Sequence, residues 1–206
     1  MNKNKYFIAS FDKLKLNYIT IAKTGSTSVL YALHKASGDV YPIGKGPDSH
    51  LHNTRITDYI SLTEAKDNGY KNFTVTREPV ARACSMFYDF MFKRFGIGGG
   101  GGSIDFLNEF NRVRTTKNFY EIFSLVNRYK DVDRGKHFRT QSYYHILEDL
   151  INIKLEHINK ISIIHPDIKV ENRLNSNDPK LDLSKKELDL IHSIYKKDFN
   201  LWEGSI

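Results

Sequence analysis

Tyr18-Ile19-Thr20-Ile21-Ala22-Lys23-Thr24-Gly25-Ser26-Thr27-Ser28 passes from a β-branched run through a polar, glycine-bearing turn into an apolar periodic segment, Val29 to Leu33. That pattern predicts strand, turn and helix in succession. A helix N-terminus leaves backbone amides unpaired and carries partial positive charge. Gly25 lets the chain turn tightly and approach an anion closely. Thr24, Ser26, Thr27 and Ser28 add hydroxyl donors, and Lys23 adds a mobile cation. Together these groups have the chemistry of a phosphate cradle. The competing reading is a structural turn without a ligand. The common nucleotide-binding loop needs Gly-x-x-x-x-Gly-Lys-Ser/Thr. Here the lysine precedes the glycine and the upstream glycine is absent, which counts against an ATPase or GTPase.

Working outward, a first strand is expected at Phe7-Ile8-Ala9, and a loop rich in Gly, Pro and His runs from Gly38 to Asn53. Ser61 and Glu64 have capping-box spacing, so a short helix is expected there. Asn72-Phe73-Thr74-Val75-Thr76 reads as another strand, and Pro79 suits the first turn of a helix over Val80 to Phe95. Two strand–loop–helix units predict an α/β fold, a single domain with a parallel central sheet flanked by helices. Asn72-Phe73-Thr74 fits a glycosylation sequon but lies in a strand expected to be buried. Gly98 to Gly102 form a glycine run that reads as a flexible loop or as a linker introduced by engineering. Helices are expected at Ile104–Val113 and Asn118–Arg128. A last helix starts at Ser184, where Glu187 completes a second capping box, and runs towards Phe199.

Arg77 ends the Asn72–Thr76 strand, and Ser85 lies one to two turns into the following helix. Both can face the carboxyl edge of the sheet, where α/β folds bind ligands. A guanidinium fork with a hydroxyl suits a second phosphate. The alternative is an arginine paired with Glu78 and a serine that packs the helix.

The 206-residue chain has a formal net charge of +7 and 40% hydrophobic residues, enough apolar material for a folded core. Between Arg112 and Arg139 eight basic residues face three acidic ones. The stretch reads either as a solvated face or as contact for a polyanion. Cys84 is the single cysteine, so no internal disulfide forms, and its apolar surroundings predict burial. No apolar run approaches the ~18 residues that a bilayer span needs. The start, Met1 to Tyr6, does not read as a signal peptide. The expectation is a soluble, cytoplasmic protein.

Lys23-Thr24-Gly25-Ser26-Thr27 after a strand, then Thr76-Arg77-Glu78-Pro79-Val80-Ala81-Arg82 with Ser85 behind it, resembles the two phosphosulfate-binding loops of sulfotransferases that use 3′-phosphoadenosine-5′-phosphosulfate (PAPS). The likeness is nearest to the carbohydrate sulfotransferases, including the heparan sulfate 2-O-sulfotransferases, and spans Tyr18 to Phe95. The segment Leu190–Phe199 is similar to the terminal helix of these enzymes. The resemblance implies a P-loop-type sheet, with Lys23, Thr24, Gly25, Ser26, Thr27 and Ser28 on the 5′-phosphosulfate and Arg77 and Ser85 on the 3′-phosphate. It implies a hydroxyl acceptor on a carbohydrate, acidic glycans among them, no nucleic-acid partner and no required metal. The oligomeric state stays open.

His50-Leu51-His52 lies between the two loops. Alternating residues of an extended segment point the same way, and a histidine near its ordinary pKa of roughly 6.5 suits a general base. The 2-O-sulfotransferases carry a His-x-His in the corresponding region. The resemblance therefore implies His52 as base and His50 as substrate contact, or the reverse. A metal pair and ordinary loop histidines are the alternatives. His137-Phe138-Arg139-Thr140-Gln141 looks like the His-aromatic-x-Pro-Gln motif of the same enzymes, with Thr140 in place of proline. His137, Arg139 and Gln141 are then candidate contacts to acceptor or cofactor, and a solvated loop is the other reading. Lys23 would stabilise charge on the departing phosphate. The competing functions are a P-loop kinase using ATP and a non-catalytic polyanion-binding module.

Overall fold

The computed structural model describes residues 7–39, 57–93, 102–170 and 181–206. The chain divides into two compact units, one of Met1–Thr76, Tyr144–Ser176 and Ser205–Ile206, the other of Arg77–Tyr143 and Asn177–Gly204.

The first unit is built on a five-stranded sheet, and with its flanking helices it makes the fold α/β. In chain order its elements are β1 (Ile8–Phe11), β2 (Leu16–Ile19), α1 (Ser26–Ala36), β3 (Tyr59–Ile60), α2 (Leu62–Asp67), β4 (Lys71–Thr76) and β5 (Ile151–Lys154). The spatial order is β3-β1-β2-β4-β5. Strands β2, β4 and β5 run parallel, with Ile19 beside Thr74 and Thr76 beside Lys154. Strand β1 is antiparallel to both β2 and β3. The sheet is therefore mixed, and the expectation of a parallel sheet holds only for β2, β4 and β5. The cause is a tight hairpin. Leu14 N–H donates to the Phe11 carbonyl at 3.0 Å, and Lys15 closes the turn with φ 54°. The chain thus reverses between β1 and β2 instead of crossing over.

Side-chain alternation sorts the two faces of the sheet. Leu16 and Tyr18 join α1 residues Val29, Leu30 and Leu33 in one core, which also takes in Phe73, Val75, Ile153 and Leu155. Tyr18 stacks on Phe73 with ring centroids 5.0 Å apart. Asn17, on the opposite face, donates to the Ala65 carbonyl of α2 at 3.4 Å and to Asn72 Oδ1 at 3.0 Å. Asn72 is 4% exposed and donates to the Asp149 carboxylate, which leaves the sequon asparagine inaccessible. His34, in the last turn of α1, lies within 3.0 Å of both Asp39 and the Thr57 hydroxyl.

The second unit is helical: α3 (Pro79–Tyr88) widening into a π-type turn at Asp89–Lys93, α4 (Ile104–Val113), α5 (Phe119–Arg128), α6 (Lys185–Ile194) and α7 (Lys196–Glu203). Its core is aromatic, with Phe90, Phe106, Phe110, Phe123 and Phe138 all buried. Cys84 is buried there, and burial raises its thiol pKa. Both capping boxes form, at Ser61–Glu64 and at Ser184–Glu187. Pro79 opens α3, and α4 keeps the bounds its sequence predicts. The last helix is broken at Tyr195, which sits at φ −111° and separates α6 from α7. Among the described residues no helix is long and apolar enough to cross a membrane.

Candidate functional site

In the first unit the turn after β2 delivers the chain to α1. Two residues in it are left-handed, Lys23 at φ 69° and Gly25 at φ 78°. Gly25 is the N-cap of α1 and, as a glycine, brings no side-chain cap to the helix. Its carbonyl accepts from the Ser28 and Val29 amides at 3.0 and 3.2 Å. The Ser26 and Thr27 amides lie ahead of this first helical pairing, where helix N–H groups have no partner within the helix. No acidic residue stands in the first turn, so the positive end of α1 is not neutralised by its own sequence. Space adds a smaller constraint: a Cβ at Gly25 would stand 2.7 Å from Leu155 Cδ1, the tip of a flexible side chain.

The hydroxyls do not share one role. Thr24 is 0% exposed and donates to the Ile21 carbonyl at 2.9 Å, so it holds the turn together. Ser26 and Ser28 are buried beside the helix start, while Lys23 and Thr27 are half-buried. A turn with left-handed residues at an uncapped helix N-terminus, at the carboxyl end of parallel strands, can accept an anion through backbone N–H groups.

In the second unit Arg77, the residue after β4, is 7% exposed. Its backbone is held by one side chain. Arg77 N–H donates to Gln141 Oε1 at 2.8 Å, and Gln141 Nε2 donates to the Arg77 carbonyl at 2.7 Å. Glu78 caps α3, accepting from the Val80 and Ala81 amides at 2.9 and 2.6 Å. The first-turn amides of α3 are thereby taken by a carboxylate, so an anion beside Arg77 would depend on its guanidinium and on Ser85, a buried residue of α3.

The segment His137–Gln141 serves as this arginine's scaffold. Gln141 is 0% exposed. Gln141 N–H and Ser142 N–H donate to the two carboxylate oxygens of Asp198 at 2.7 and 2.8 Å. Arg82, 1% exposed, donates to the His137 and Arg139 carbonyls at 3.2 and 2.8 Å and sits 4.0 Å from Asp198. Thr140 N–H and Oγ1 donate to Asp131 at 2.8 and 2.7 Å. A proline could not make the first of these bonds. Arg139 Nε donates to the Asp131 carbonyl at 3.0 Å, and its guanidinium lies over the Tyr143 ring. His137 packs edge-on against Phe90 at 5.2 Å.

Burial raises the Asp198 carboxyl pKa, while Arg82 and the Ser142 and Gln141 amides pull it the other way. Burial also raises the Tyr195 phenol, whose hydroxyl donates to the Phe138 carbonyl at 3.2 Å.

The basic stretch is partly turned inward. Arg134 donates to the Val126 and Tyr129 carbonyls and pairs with Asp131 at 3.0 Å. Arg128 pairs with Glu109 at 2.6 Å, and Arg139 is engaged as described.

His50 and His52 lie outside the described residues, as do Gly98 to Gly101. Among the described residues no group of three His, Cys, Asp or Glu is placed to hold a metal.

Arg82 and Asp198 are the site residues that sequence reading passes over. Each is a charged residue inside an otherwise apolar helical face, Arg82 beside Ala83 and Met86, and Asp198 three residues after Tyr195. Buried charges are rare unless paired. A charge at such a position was therefore the available signal. No family model, curated protein or solved structure matches the chain.

Proposed function

We propose that the chain is a PAPS-dependent sulfotransferase that sulfates a hydroxyl of a carbohydrate acceptor. The observation that carries the reading is the uncapped N-terminus of α1 behind Lys23 and Gly25, at the carboxyl end of β2. The β2–turn–α1 unit would act as a P-loop-type cradle, with the Ser26 and Thr27 amides and Lys23 on the 5′-phosphosulfate. Thr24 would contribute by fixing the turn, because its hydroxyl is already committed to Ile21. Arg77, with Ser85, would take the 3′-phosphate, and the clamp by Gln141 supports a fixed position for the Arg77 backbone.

Bound PAPS would supply a sulfuryl group attached to a phosphate leaving group. The acceptor oxygen forms the new bond to sulfur as the sulfur–phosphate oxygen bond breaks. His52 takes the hydroxyl proton, with His50 on the acceptor or exchanging roles with it. Lys23 stabilises the charge left on the phosphate, a contribution of about 3 kcal/mol by comparison with an oxyanion donor. The engagement of Arg134 and Arg139 with backbone carbonyls weakens the polyanion-module alternative, since those two cations already have protein partners.

Calorimetric titration with the product nucleotide, 3′-phosphoadenosine-5′-phosphate (PAP), against ADP tests the proposal. A sulfotransferase binds PAP more tightly than ADP without magnesium. Preference for ADP with magnesium would instead identify a kinase. Equal, steeply salt-dependent binding of both would identify a polyanion module.

A further inference from the structure

We infer that Asp198 is a positioning residue for Arg77 and acts through the Gln141 side chain. Three links make the chain, and all lie within the second unit. Asp198 is 0% exposed and receives two backbone amides, Gln141 N–H at 2.7 Å and Ser142 N–H at 2.8 Å, one on each carboxylate oxygen. This bidentate arrangement fixes both the position and the orientation of the peptide between those residues. From that peptide the Gln141 side chain reaches the Arg77 backbone and satisfies its N–H and its carbonyl together. A primary amide paired in this way leaves the Arg77 backbone little freedom to slide or rotate, because both bonds must break at once.

Arg82 closes the arrangement. It holds the His137 and Arg139 carbonyls just ahead of Gln141 and provides the cation nearest to Asp198. Asp198 lies on α7, far along the chain from Arg77. The segment that resembles a substrate-contact motif is thus placed as the arm between the terminal helix and the arginine. Truncating Asp198 would strand two buried amides and remove the carboxylate facing the buried Arg82 guanidinium, which would keep its two carbonyl partners, and hydrogen bonds to charged groups are the costlier ones to lose.

The inference rests on the sulfotransferase reading only for its ligand readout, because the positioning is argued from hydrogen bonds within the protein. Amide hydrogen exchange is measured on the full chain as wild type, Asp198→Asn and Gln141→Met. Asn keeps one acceptor oxygen, and Met keeps the side-chain length without its polar atoms. Exchange at the Arg77 amide should accelerate by about tenfold or more in both variants. PAP affinity should fall by about tenfold while ADP affinity changes less than about twofold, if Arg77 meets the 3′-phosphate. Faster exchange at Gln141 and Ser142 in Asp198→Asn with unchanged exchange at Arg77 would overturn the inference. If Asp198→Asn fails to fold, Gln141→Met decides alone: unchanged Arg77 exchange refutes the clamp. If wild type binds no PAP yet Arg77 exchange accelerates in the variants, the donor assignment fails and the positioning role stands.

Discussion

Replacing Gly25 by alanine isolates what the α1 turn demands of its sequence. Gly25 sits at φ 78°, where a Cβ meets its own backbone, and an L-residue in the left-handed region costs about 1–2 kcal/mol. The new methyl would also stand 2.7 Å from Leu155 Cδ1. That atom is the tip of a flexible side chain, so it moves aside for about 0.5–1.5 kcal/mol of rotamer strain. Alanine recovers about 0.4–1 kcal/mol by restricting the unfolded chain. The net is a destabilisation of about 2 kcal/mol, with backbone strain the larger part. Urea unfolding followed by circular dichroism measures it, in wild type, Gly25→Ala, Leu155→Ala and the double variant. The coupling between the two sites should stay below about 1.5 kcal/mol, because only the methyl clash is shared. A loss under about 0.5 kcal/mol for Gly25→Ala, or complete rescue by Leu155→Ala, would refute the assignment of the cost to the left-handed backbone.

Lys23→Gly should separate stability from function: relief of the strain at φ 69° should leave the fold unchanged or up to about 1 kcal/mol more stable, while sulfuryl transfer from PAPS should fall by about two orders of magnitude. A melting curve and a transfer assay on one preparation check both. Thr140→Pro removes the N–H and the hydroxyl that Asp131 accepts and should destabilise the protein by about 2–4 kcal/mol in chemical denaturation. His52→Ala should lower turnover and leave PAP affinity intact, and loss of PAP binding in that variant would disprove its role as base. Asp198 has a raised pKa in the folded state, caused first by burial. The folded protein therefore holds the proton more tightly than the unfolded chain, and the stability this contributes is present below the ordinary carboxylate pKa. It is lost as pH rises from there through the folded value. Asp198→Asn should flatten that part of the stability–pH profile.

Local chemistry makes several elements legible in the sequence. Ser61–Glu64 and Ser184–Glu187 form their capping boxes because the two partners are three residues apart and need nothing beyond the first helical turn. Pro79 opens α3 for the same kind of reason, since its fixed φ and missing N–H suit that position. The antiparallel β1 was hidden because its hairpin lacks an Asn-Gly or Asp-Gly signature and closes instead on Lys15 in a left-handed conformation.

Strand β5, Ile151-Asn152-Ile153-Lys154, was missed because it is short and mixed in polarity. Its identity comes from pairing with β4 on one side and from the Ile206–Asn152 and Lys154–Ile206 backbone bonds on the other. The break at Tyr195 was equally silent, since Leu190 to Phe199 keeps a helical apolar period across it.

The candidate site divides along the same line. Gly25 and Lys23 are readable because a turn before a helix is a local event. Gln141 stands in the sequence only as a candidate contact, not as the clamp on Arg77, and Asp198 shows only as a charge inside an apolar helical period, with no sign of its partners. Their roles arise from pairings between segments far apart in sequence, whose geometry no local period encodes.

The most direct measurement of the central claim is the ratio of PAP to ADP affinity in wild type and in Arg77→Ala, without magnesium. Wild type should favour PAP by about ten- to a hundredfold, the worth of a charge-assisted contact to the extra phosphate, and Arg77→Ala should bring the ratio close to one. A wild-type ratio near one, or a preference for PAP that persists without Arg77, would contradict the account.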